Sequence, residues 1–358
     1  MPGQIKHQKT LLSWYRKKSR RGLPWRETRD PYRIWISEAM LQQTQVSTVI
    51  PYYERFLKRF PTVQALCRAP LTEVLDLWSG LGYYSRAKNL HACAQAIVRE
   101  HAGRLPDQVE PLMKLPGIGR TTAGAIASIA FDRPAPILDG NVQRVLSRYY
   151  GIRQDPRRVV VRRKLWDLAS KLVPVESPGD FNQALMDLGA MVCTPRRPRC
   201  SPCPISSGCV ARQKGWQEEI PPPRKAAGRK KIRYLCGILE RNGKVLVARR
   251  PITGLLPGLW EFPGGEKQPA ESPADGIRRL ITERLGIEAA LAGRYPAIRQ
   301  MLTHRELEIR PFLLRPLKGK LRPAWYTETQ WIPPAAFGKT AFTAGMARVA
   351  DRFREGPA

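Results

Sequence analysis

The sequence predicts two domains of different fold class: a mainly α-helical domain over residues 1–212 and an α+β domain over residues 232–358. Three observations predict this. A chain of 358 residues is longer than one ordinary core favours. Apolar residues recur at helical spacing in the first part of the chain. The basic, proline-rich text of residues 213–231 interrupts that pattern, because three consecutive prolines cannot sit inside a helix, and this stretch is expected to be a linker.

Patterns within each part support these fold classes. Helical spacing is seen in the first part in Val63, Leu66, Leu71, Val74, Leu75 and Trp78. The second part opens with two apolar runs around Asn242-Gly243, a dipeptide typical of a tight hairpin turn. A helical stretch, ADGIRRLITERLG, is followed by the alternating text HRELEIRPFLLRPL, so sheet and helix are mixed.

The charge balance indicates a polyanionic partner. The chain has 61 Lys and Arg against 30 Asp and Glu, a formal net charge of +31 that is spread along its length. Ribosomal and membrane-surface proteins can also be basic, but charge together with size favours nucleic acid.

Neither a targeting signal nor a membrane anchor is expected. The N-terminal text has no apolar core long enough for a signal peptide, and no stretch approaches membrane-spanning length. Seven cysteines, four of them crowded together, are typical of ligands in a reducing compartment rather than of an extracellular disulfide framework. We therefore expect a cytoplasmic protein with no membrane partner, working with the chromosome.

Four cysteines predict a metal centre in the loop 193–209. Cys193, Cys200, Cys203 and Cys209 are separated by six, two and five residues. Four thiolates suit either zinc or an iron-sulfur cluster. Structural zinc usually draws on two close cysteine pairs, and here one C-x-x-C pair is present, so the spacing favours a 4Fe–4S cluster. The remaining three cysteines stand alone in apolar contexts and are interpreted as core residues.

The run LPGIGRTT over residues 115–122 predicts a phosphate-binding turn. Its two glycines allow the backbone to turn so that free N–H groups point outward at a helix start. Such a turn between helices is often only a connection, so its neighbours in the sequence decide its meaning. The residues expected to contact DNA here are Leu115, Gly117, Gly119 and Arg120.

Several motifs together carry a family resemblance. LPGIGRTTAGAIAS, then LDGNV over residues 138–142, then the cysteine loop resemble the helix-hairpin-helix glycosylase superfamily. SEAMLQQTQV over residues 37–46 and LGYY over residues 81–84 resemble its MutY branch, the adenine-DNA glycosylases that act opposite 8-oxoguanine. The resemblance covers essentially the whole chain and implies an iron-sulfur cluster and monomeric action on duplex DNA that carries adenine opposite 8-oxoguanine or guanine.

The resemblance assigns roles to two carboxylates. Breaking an N-glycosidic bond needs an acid for the departing base and an anion for the sugar. The resemblance implies that Glu38 protonates adenine and then activates water, that Asp139 stabilises the sugar cation, directly or through a transient covalent bond, and that Asn141 holds this array. Without the neighbouring motifs, Glu38 would be interpreted as a charge near a helix start and Asp139 as a helix cap.

The residue at position 121 bears on whether the protein also cuts the DNA backbone. Relatives that also cut the DNA backbone carry a lysine after the hairpin, and its amine forms a Schiff base with the sugar. Thr121 stands there in this chain, so base removal without an efficient lyase step is expected, with Thr121 contacting the sugar or a phosphate.

Base extrusion needs residues that fill the vacated stack. The resemblance implies that Gln43 fills the stack, that Tyr83 wedges beside the opposing base, and that Trp25, Arg26 and Gln183 line the adenine pocket; Gln42 is expected to contact DNA as well.

The second domain resembles a Nudix hydrolase domain, which gives one alternative function, nucleotide hydrolysis. A working Nudix box needs clustered glutamates for magnesium, but Leu280 and Arg284 occupy two of those places. The resemblance to MutY implies instead that Leu302, Thr303 and His304 recognise 8-oxoguanine. The other alternative is an endonuclease III-like glycosylase and lyase acting on oxidised pyrimidines.

Overall fold

The computed structural model describes residues 2–20, 22–223, 228–254, 256–302 and 305–356, with side chains from residue 8 onward. The chain forms two compact units. The first comprises Met1–Ala69 and Lys88–Lys225, and the second comprises Pro70–Ala87 and Ala226–Ala358. The segment Pro70–Ala87 therefore packs with the C-terminal unit, although helical sequence flanks it on both sides. None of the helices in these described ranges is long and apolar enough to cross a membrane.

The N-terminal part of the chain is built from helices joined by short connections. They are α1 (Pro2–Lys18), α2 (Pro31–Leu41), α3 (Val46–Arg59), α4 (Val63–Arg68), α5 (Leu71–Trp78), α6 (Ser85–Glu100), α7 (Val109–Met113), α8 (Arg120–Phe131), α9 (Gly140–Tyr149), α10 (Val159–Leu172), α11 (Pro178–Met191) and α12 (Val210–Lys214), with 3₁₀ turns at Pro24–Arg26 and Ser206–Gly208. The predicted helical character of this part is thus confirmed.

Capping residues set the helix starts that matter for the site. Asp30 caps α2 by accepting a hydrogen bond from the Tyr32 amide at 2.8 Å, and Pro31 takes the first helical position. Asp139 caps α9, with its Oδ1 accepting from the Val142 amide at 2.7 Å. Both caps satisfy amides that a helix start would otherwise leave without a partner.

The first unit buries a core between α1, α9, α10 and α11. Apolar residues at helical spacing on these helices meet in one cluster, which includes Leu11, Val142, Val145, Leu146, Leu165, Trp166, Phe181, Ala184, Leu185 and Leu188. Helix α11 lies against α1, α8 and α9, so it runs through the interior of the unit. This packing fixes the start of α9, and with it Asp139, on a rigid base.

The second unit is built on a mixed sheet that has eight strands in the described residues. The strands are β1 (Lys230–Arg241), β2 (Lys244–Arg249), β3 (Trp260–Glu261), β4 (Gly264–Glu266), β5 (Glu288–Arg294), β6 (Ile298–Met301), β7 (Arg305–Lys318) and β8 (Glu328–Ile332). The main order is β3-β2-β1-β7-β5, while β4 pairs with β1, β6 with β7 and β8 with β2. Strands β1 and β7 run parallel, and the other pairs are antiparallel.

The predicted hairpin of this unit is confirmed. Strands β1 and β2 are joined by Asn242 and Gly243, whose φ angles of 51° and 68° are both left-handed. Two-residue hairpins favour this pair of conformations because their twist matches that of the strands.

Two helices cover opposite faces of the sheet. Helix α13 (Pro273–Leu285) packs on Leu235 and Leu239 of β1, and helix α14 (Ala344–Glu355) belongs to the cluster that contains Cys236 and Ile238. The predicted helix in ADGIRRLITERLG corresponds to α13. A sheet with a helix on each face buries both sides of its central strands, which explains the nearly continuous apolar text of β1.

We predict that Gly264→Ala destabilises the second unit by about 3 kcal/mol, because strand β4 runs very close to β1. A Cβ at Gly264 would lie 2.0 Å from the Leu235 carbonyl oxygen and 2.7 Å from the Cys236 Cα, and neither backbone atom can move away cheaply. Urea unfolding followed by tryptophan fluorescence measures the loss. Gly338→Ala is the control, since its Cβ would meet nothing within 4 Å. Equal destabilisation by both substitutions would contradict the packing argument.

Candidate active site and cysteine loop

A cavity of about 720 Å³ opens on the first unit. It is lined by α2, the turn before α8, and the starts of α8 and α9, with further residues from the 3₁₀ turn and α11. Many of the residues singled out in the sequence line it together: Trp25, Arg26, Glu38, Gln42, Gln43, Gly117, Gly119, Arg120, Thr121, Asp139, Asn141 and Gln183.

Glu38 lies near the C-terminal end of α2, so it is not a charge favoured by a helix start. Burial raises the pKa of Glu38 to about 7, and the negative charge of Asp139 adds to the rise, while the Arg26 guanidinium opposes it. The carbonyl end of a helix also disfavours a carboxylate. In a large fraction of the molecules Glu38 is therefore protonated at neutral pH, and its carboxyl group can act as an acid.

Asp139 is held by donors that favour its charged form. Its Oδ1 accepts from the Val142 amide at 2.7 Å and its Oδ2 accepts from Asn141 Nδ2 at 3.0 Å. Burial raises the pKa of Asp139, but these two hydrogen bonds and the charge of Arg144 oppose the rise. Asp139 is therefore a helix cap and a cavity residue at once.

Arg144 joins the Asp139 turn to the cysteine loop. Its Nη2 donates to Asn141 Oδ1 and to the Gly189 carbonyl, both at 2.8 Å, and its Nε donates to the Cys193 carbonyl at 2.7 Å. One guanidinium thus fixes the side chain of Asn141 and the first residue of the loop. An arginine with its planar fork suits such a multiple contact better than a lysine would.

The position after the turn carries a hydroxyl that faces the Asp139 segment. Thr121 Oγ1 donates to the Leu138 carbonyl at 3.3 Å, and beside it Gln42 Nε2 donates to Thr122 Oγ1 at 3.2 Å. Among the described residues that line the cavity there is no lysine. None of these lining residues therefore supplies the primary amine that an imine would need.

One end of the cavity is built around a buried carboxylate. Asp187 on α11 has a fully buried side chain and accepts from Arg26 Nη1 and Nη2 at 2.6 and 2.8 Å and from Arg20 Nε at 2.7 Å. Burial tends to raise the pKa of Asp187, but the two guanidinium groups outweigh it and hold the pKa below its usual range. Trp25 is buried beside this group and packs edge-on against Tyr53.

Three residues of this site were not predicted from the sequence: Arg20, Arg144 and Asp187. Asp187 carried a usable signal, because an aspartate inside the apolar helical text ALMDLGAM needs a buried partner. Nothing in the text identified that partner, because Arg20 and Arg26 precede it by more than 160 residues.

The turn before α8 has the backbone that the sequence predicted. Gly117 has a left-handed φ of 76°, and Gly119 is the N-cap of α8. Leu115 is buried beneath the turn, and the Arg120 guanidinium carbon lies 4.1 Å from the centre of the Trp166 ring. The first amides of α8 point away from the helix, as at any helix start, which is the geometry that binds phosphate.

Two candidate extrusion residues lie in left-handed backbone. Gln43, just beyond α2, has a φ of 60° and an exposed side chain. Tyr83 has a φ of 49° and is 38% exposed. Left-handed backbone is uncommon outside glycine and often marks a functional position. Tyr83 belongs to the second unit, in the segment Pro70–Ala87.

The four clustered cysteines are half-buried free thiols between α11 and α12. Burial and, to a smaller extent, the charges of Cys193, Cys209 and Cys200 raise the pKa of Cys203 to about 11, against a backbone hydrogen bond at Ile205. Arg148 Nη1 lies 3.3 Å from Cys193 Sγ. Within the described ranges, no three or more His, Cys, Asp or Glu side chains are arranged as ligands of a single metal ion.

The other cysteines differ in burial. Cys93 and Cys236 are buried, as predicted for core residues, whereas Cys67 is half-buried at the end of α4.

In the described part of the region that resembles a Nudix box, two glutamates, Glu271 and Glu283, pair with the same arginine. Leu280 is buried in the core under the sheet, and the Arg284 guanidinium carbon lies 4.0 Å from the centre of the Trp325 ring. Arg279 donates to Glu271 at 2.8 Å and to Glu283 at 2.8 Å. Hydrogen bonds from Arg279 lower the pKa of Glu271 to about 2, so this guanidinium already pairs with carboxylates that a magnesium site would need.

Of the three predicted lesion-recognition residues, Leu302 is described, and it directly follows β6. Leu302 is half-buried against the apolar cluster beneath the sheet, and its amide donates to the Arg305 carbonyl at 2.8 Å. Thr303 and His304 lie outside the described residues.

Comparison with known families defines the class of protein. Residues 36–171 match the model of the HhH-GPD superfamily of base excision DNA repair proteins, and residues 234–352 match that of the NUDIX domain. The chain is also similar to a solved thermostable thymine-DNA glycosylase, at 31% identity and a TM-score of 0.54, over 60% of this chain and 98% of that one. The predicted fold class, a helical helix-hairpin-helix domain with a Nudix-like α+β domain, is confirmed.

Relatives that match more than two thirds of this chain give the family more closely. The adenine DNA glycosylase of Buchnera aphidicola subsp. Baizongia pistaciae is 41% identical over 71% of this chain and 72% of its own length. The human adenine DNA glycosylase is 44% identical over 73% of this chain and 58% of its own length, so the chain spans about three fifths of that relative. The chain belongs to the adenine DNA glycosylase family.

We predict that Glu38→Gln raises the stability of the protein at alkaline pH. The pKa of Glu38 in the folded protein, about 7, lies above the ordinary glutamate value of the unfolded chain. The folded state therefore holds this proton more tightly, and the protein loses stability as pH rises from the unfolded pKa to about 7. Glutamine has no such dependence. The gain in unfolding free energy is on the order of 3 kcal/mol at pH 8 relative to pH 4.

Thermal unfolding at several pH values measures this difference. Glu54→Gln on the exposed face of α3 is the control, and its midpoint is expected to follow the parent at every pH. A pH-independent offset for Glu38→Gln would mean that Glu38 is an ordinary, solvated carboxylate.

Proposed function

We propose that this protein is a base excision repair DNA glycosylase. Its substrate would be adenine paired with 8-oxoguanine or guanine in duplex DNA, whose N-glycosidic bond it hydrolyses. We further propose that it acts as a monomer. It would work inside the cell with the chromosome, since that is where such duplexes occur. Its net charge of +31 supports a polyanionic partner.

One observation carries this proposal: Glu38 and Asp139 line the same cavity, and Asp139 accepts hydrogen bonds from two donors that oppose the effect of its burial. Burial raises the pKa of Glu38 to about 7, which favours its acid form. Asp139 is surrounded by hydrogen-bond donors that favour its anion. Two carboxyl groups in different environments are what cleavage between a base and its sugar needs.

In the proposed mechanism, Glu38 donates its proton to adenine as the bond between the base and C1′ breaks. The bonding electrons leave with the base, and positive charge develops on the sugar. Asp139 stabilises that charge, directly or as a transient ester, while Asn141 and Arg144 hold Asp139 in place. The Glu38 carboxylate then takes a proton from the water that attacks C1′, which regenerates the acid.

The reaction is proposed to stop at an abasic site. The Thr121 hydroxyl cannot form the imine through which lyases cut the backbone. Its position beside the Asp139 segment supports a contact with the sugar or with the neighbouring phosphate.

Adenine would be extruded into the cavity at the end lined by Trp25, Arg26 and Gln183. Gln43 would fill the vacated stack and Gln42 would contact the DNA beside it. The start of α8, with Leu115, Gly117, Gly119 and Arg120, would bind a backbone phosphate.

The functional division proposed along the chain is glycosylase over 1–212, linker over 213–231 and lesion reader over 232–358. Leu302, Thr303 and His304 would contact 8-oxoguanine. The ion pairs between Arg279 and both Glu271 and Glu283 support a reading role, rather than metal-dependent hydrolysis, for the second unit.

Cys193, Cys200, Cys203 and Cys209 are proposed to hold a 4Fe–4S cluster. An all-thiol donor set in one loop, with a guanidinium beside Cys193 Sγ, fits the net negative charge of such a cluster. When bound, the cluster would supply four iron–sulfur bonds that fix the loop, and through Arg144 it would steady the Asp139 turn.

We predict that duplexes with adenine opposite 8-oxoguanine are cut only after alkali treatment, because the enzyme leaves an intact backbone. Glu38→Gln and Asp139→Asn should each lower the single-turnover rate about 100-fold or more. Glu54→Gln, an exposed glutamate of α3, should leave it unchanged. Breaks at thymine glycol without alkali would instead identify a lyase for oxidised pyrimidines.

We predict a brown protein whose visible absorbance is lost in Cys200→Ser, because one of four iron ligands is removed. Cys67→Ser replaces a half-buried cysteine outside the loop and is the matched control, expected to keep the colour. Iron and zinc analysis accompanies the spectra. A colourless parent protein with stoichiometric zinc would show that the loop is a zinc site.

A further inference from the structure

The segment Pro70–Ala87 lies within the range matched by the helical family, yet it packs with the C-terminal unit. It contains α5 and, after a tight turn, Tyr83. The candidate wedge residue is therefore carried by the same compact unit as Leu302, one of the candidate lesion-recognition residues.

Arg249, the last residue of β2, holds α5. Its Nη2 donates to Asp76 Oδ1 at 2.7 Å and to the Thr72 carbonyl at 3.3 Å, and its Nε donates to the Gly258 carbonyl at 2.9 Å. The Arg249 side chain is 12% exposed, so these contacts are largely shielded from water. A shielded, multiply bonded guanidinium fixes geometry better than an exposed ion pair does.

Two further contacts keep α5 against the same unit. Gly258 has a left-handed φ of 69°, and a Cβ there would lie 2.6 Å from Leu75 Cδ1, so the loop before β3 approaches α5 closely. At the end of α5, Ser79 Oγ donates to the Phe342 carbonyl at 3.0 Å. The helix is thus held along its length.

The turn from α5 to Tyr83 is tightly bonded. Trp78 Nε1 donates to the Gly82 carbonyl at 3.0 Å, and Arg86 Nη2 donates to the same carbonyl at 3.1 Å. The Gly80 amide donates to the Tyr84 hydroxyl at 3.1 Å. A displacement of α5 would therefore carry Tyr83 with it.

We propose that Arg249 is a positioning residue for Tyr83, and that through Asp76 and α5 the C-terminal unit sets where the wedge meets the duplex. The inference rests on the proposed glycosylase function and deepens it. Base extrusion opposite a lesion then depends on a contact between β2 and α5 that touches neither DNA nor the reacting atoms.

The test compares Arg249→Ala with Arg310→Ala in the full chain. Arg310 is a matched control, because it pairs with Glu308 at 2.6 Å on the same sheet. For adenine opposite 8-oxoguanine we expect the single-turnover rate of Arg249→Ala to fall on the order of 10- to 100-fold, since a small displacement remote from the chemistry has effects of that size. Arg310→Ala should stay near the parent.

Three readouts separate positioning from general destabilisation. In a Tyr83→Ser background, Arg249→Ala should lower the single-turnover rate less than about twofold, because the side chain that Arg249 positions is gone. Fluorescence of 2-aminopurine placed at the adenine should rise on binding in the parent and less in Arg249→Ala. Arg249→Lys, which keeps the charge and a donor to Asp76, should recover part of the rate, and thermal midpoints identify any variant that fails to fold.

The outcomes separate the two proposals. A parent protein that removes no adenine overturns the proposed function itself. An active parent in which Arg249→Ala and Arg310→Ala behave alike, or in which the losses from Arg249→Ala and Tyr83→Ser multiply fully, overturns the positioning role of Arg249 and leaves the glycosylase proposal standing.

Discussion

The constraint on which the site depends is the burial of two carboxyl groups in one cavity. Like charges in a poorly solvated space cannot both be fully ionised, so the surroundings must decide which one keeps its proton. The α9 start and Asn141 direct donors at Asp139, whereas Glu38 sits near the carbonyl end of α2. Helix direction and capping thus favour the proton on Glu38 and the charge on Asp139.

Two half-buried arginines keep these carboxyl surroundings in place. Arg144 ties Asn141 to the Cys193 carbonyl, and Arg26 balances the buried Asp187 while it also opposes the rise in the pKa of Glu38. Each guanidinium makes several hydrogen bonds at once, which lowers the cost of burying its charge. The cavity is consequently a rigid arrangement of charges fixed by α9 and α11, with little need to reorganise during a reaction.

Much of the fold could be predicted from the sequence because its signals are local. The Asn242-Gly243 turn, helix α13 and the capped start of α9 depend on neighbouring residues, and each occurs where the pattern indicates. The sequence motifs also identified many of the residues that line the cavity. What they could not supply were pairings across long separations, such as Asp187 with Arg20, because no local pattern encodes a distant partner.

Residues 70–87 show why sequence boundaries and structural boundaries differ here. By motif this segment is part of the helical domain, since it lies between α4 and α8 and contains the LGYY text. Its helix, however, has an apolar side that meets Gly258 and a carboxylate, Asp76, that meets Arg249, so its partners come from beyond the linker. When a helix of one sequence domain packs on another domain, the stability of that helix depends on residues of both domains. The proposed reading of the opposing base and the proposed extrusion of adenine therefore do not divide between separate domains at the linker.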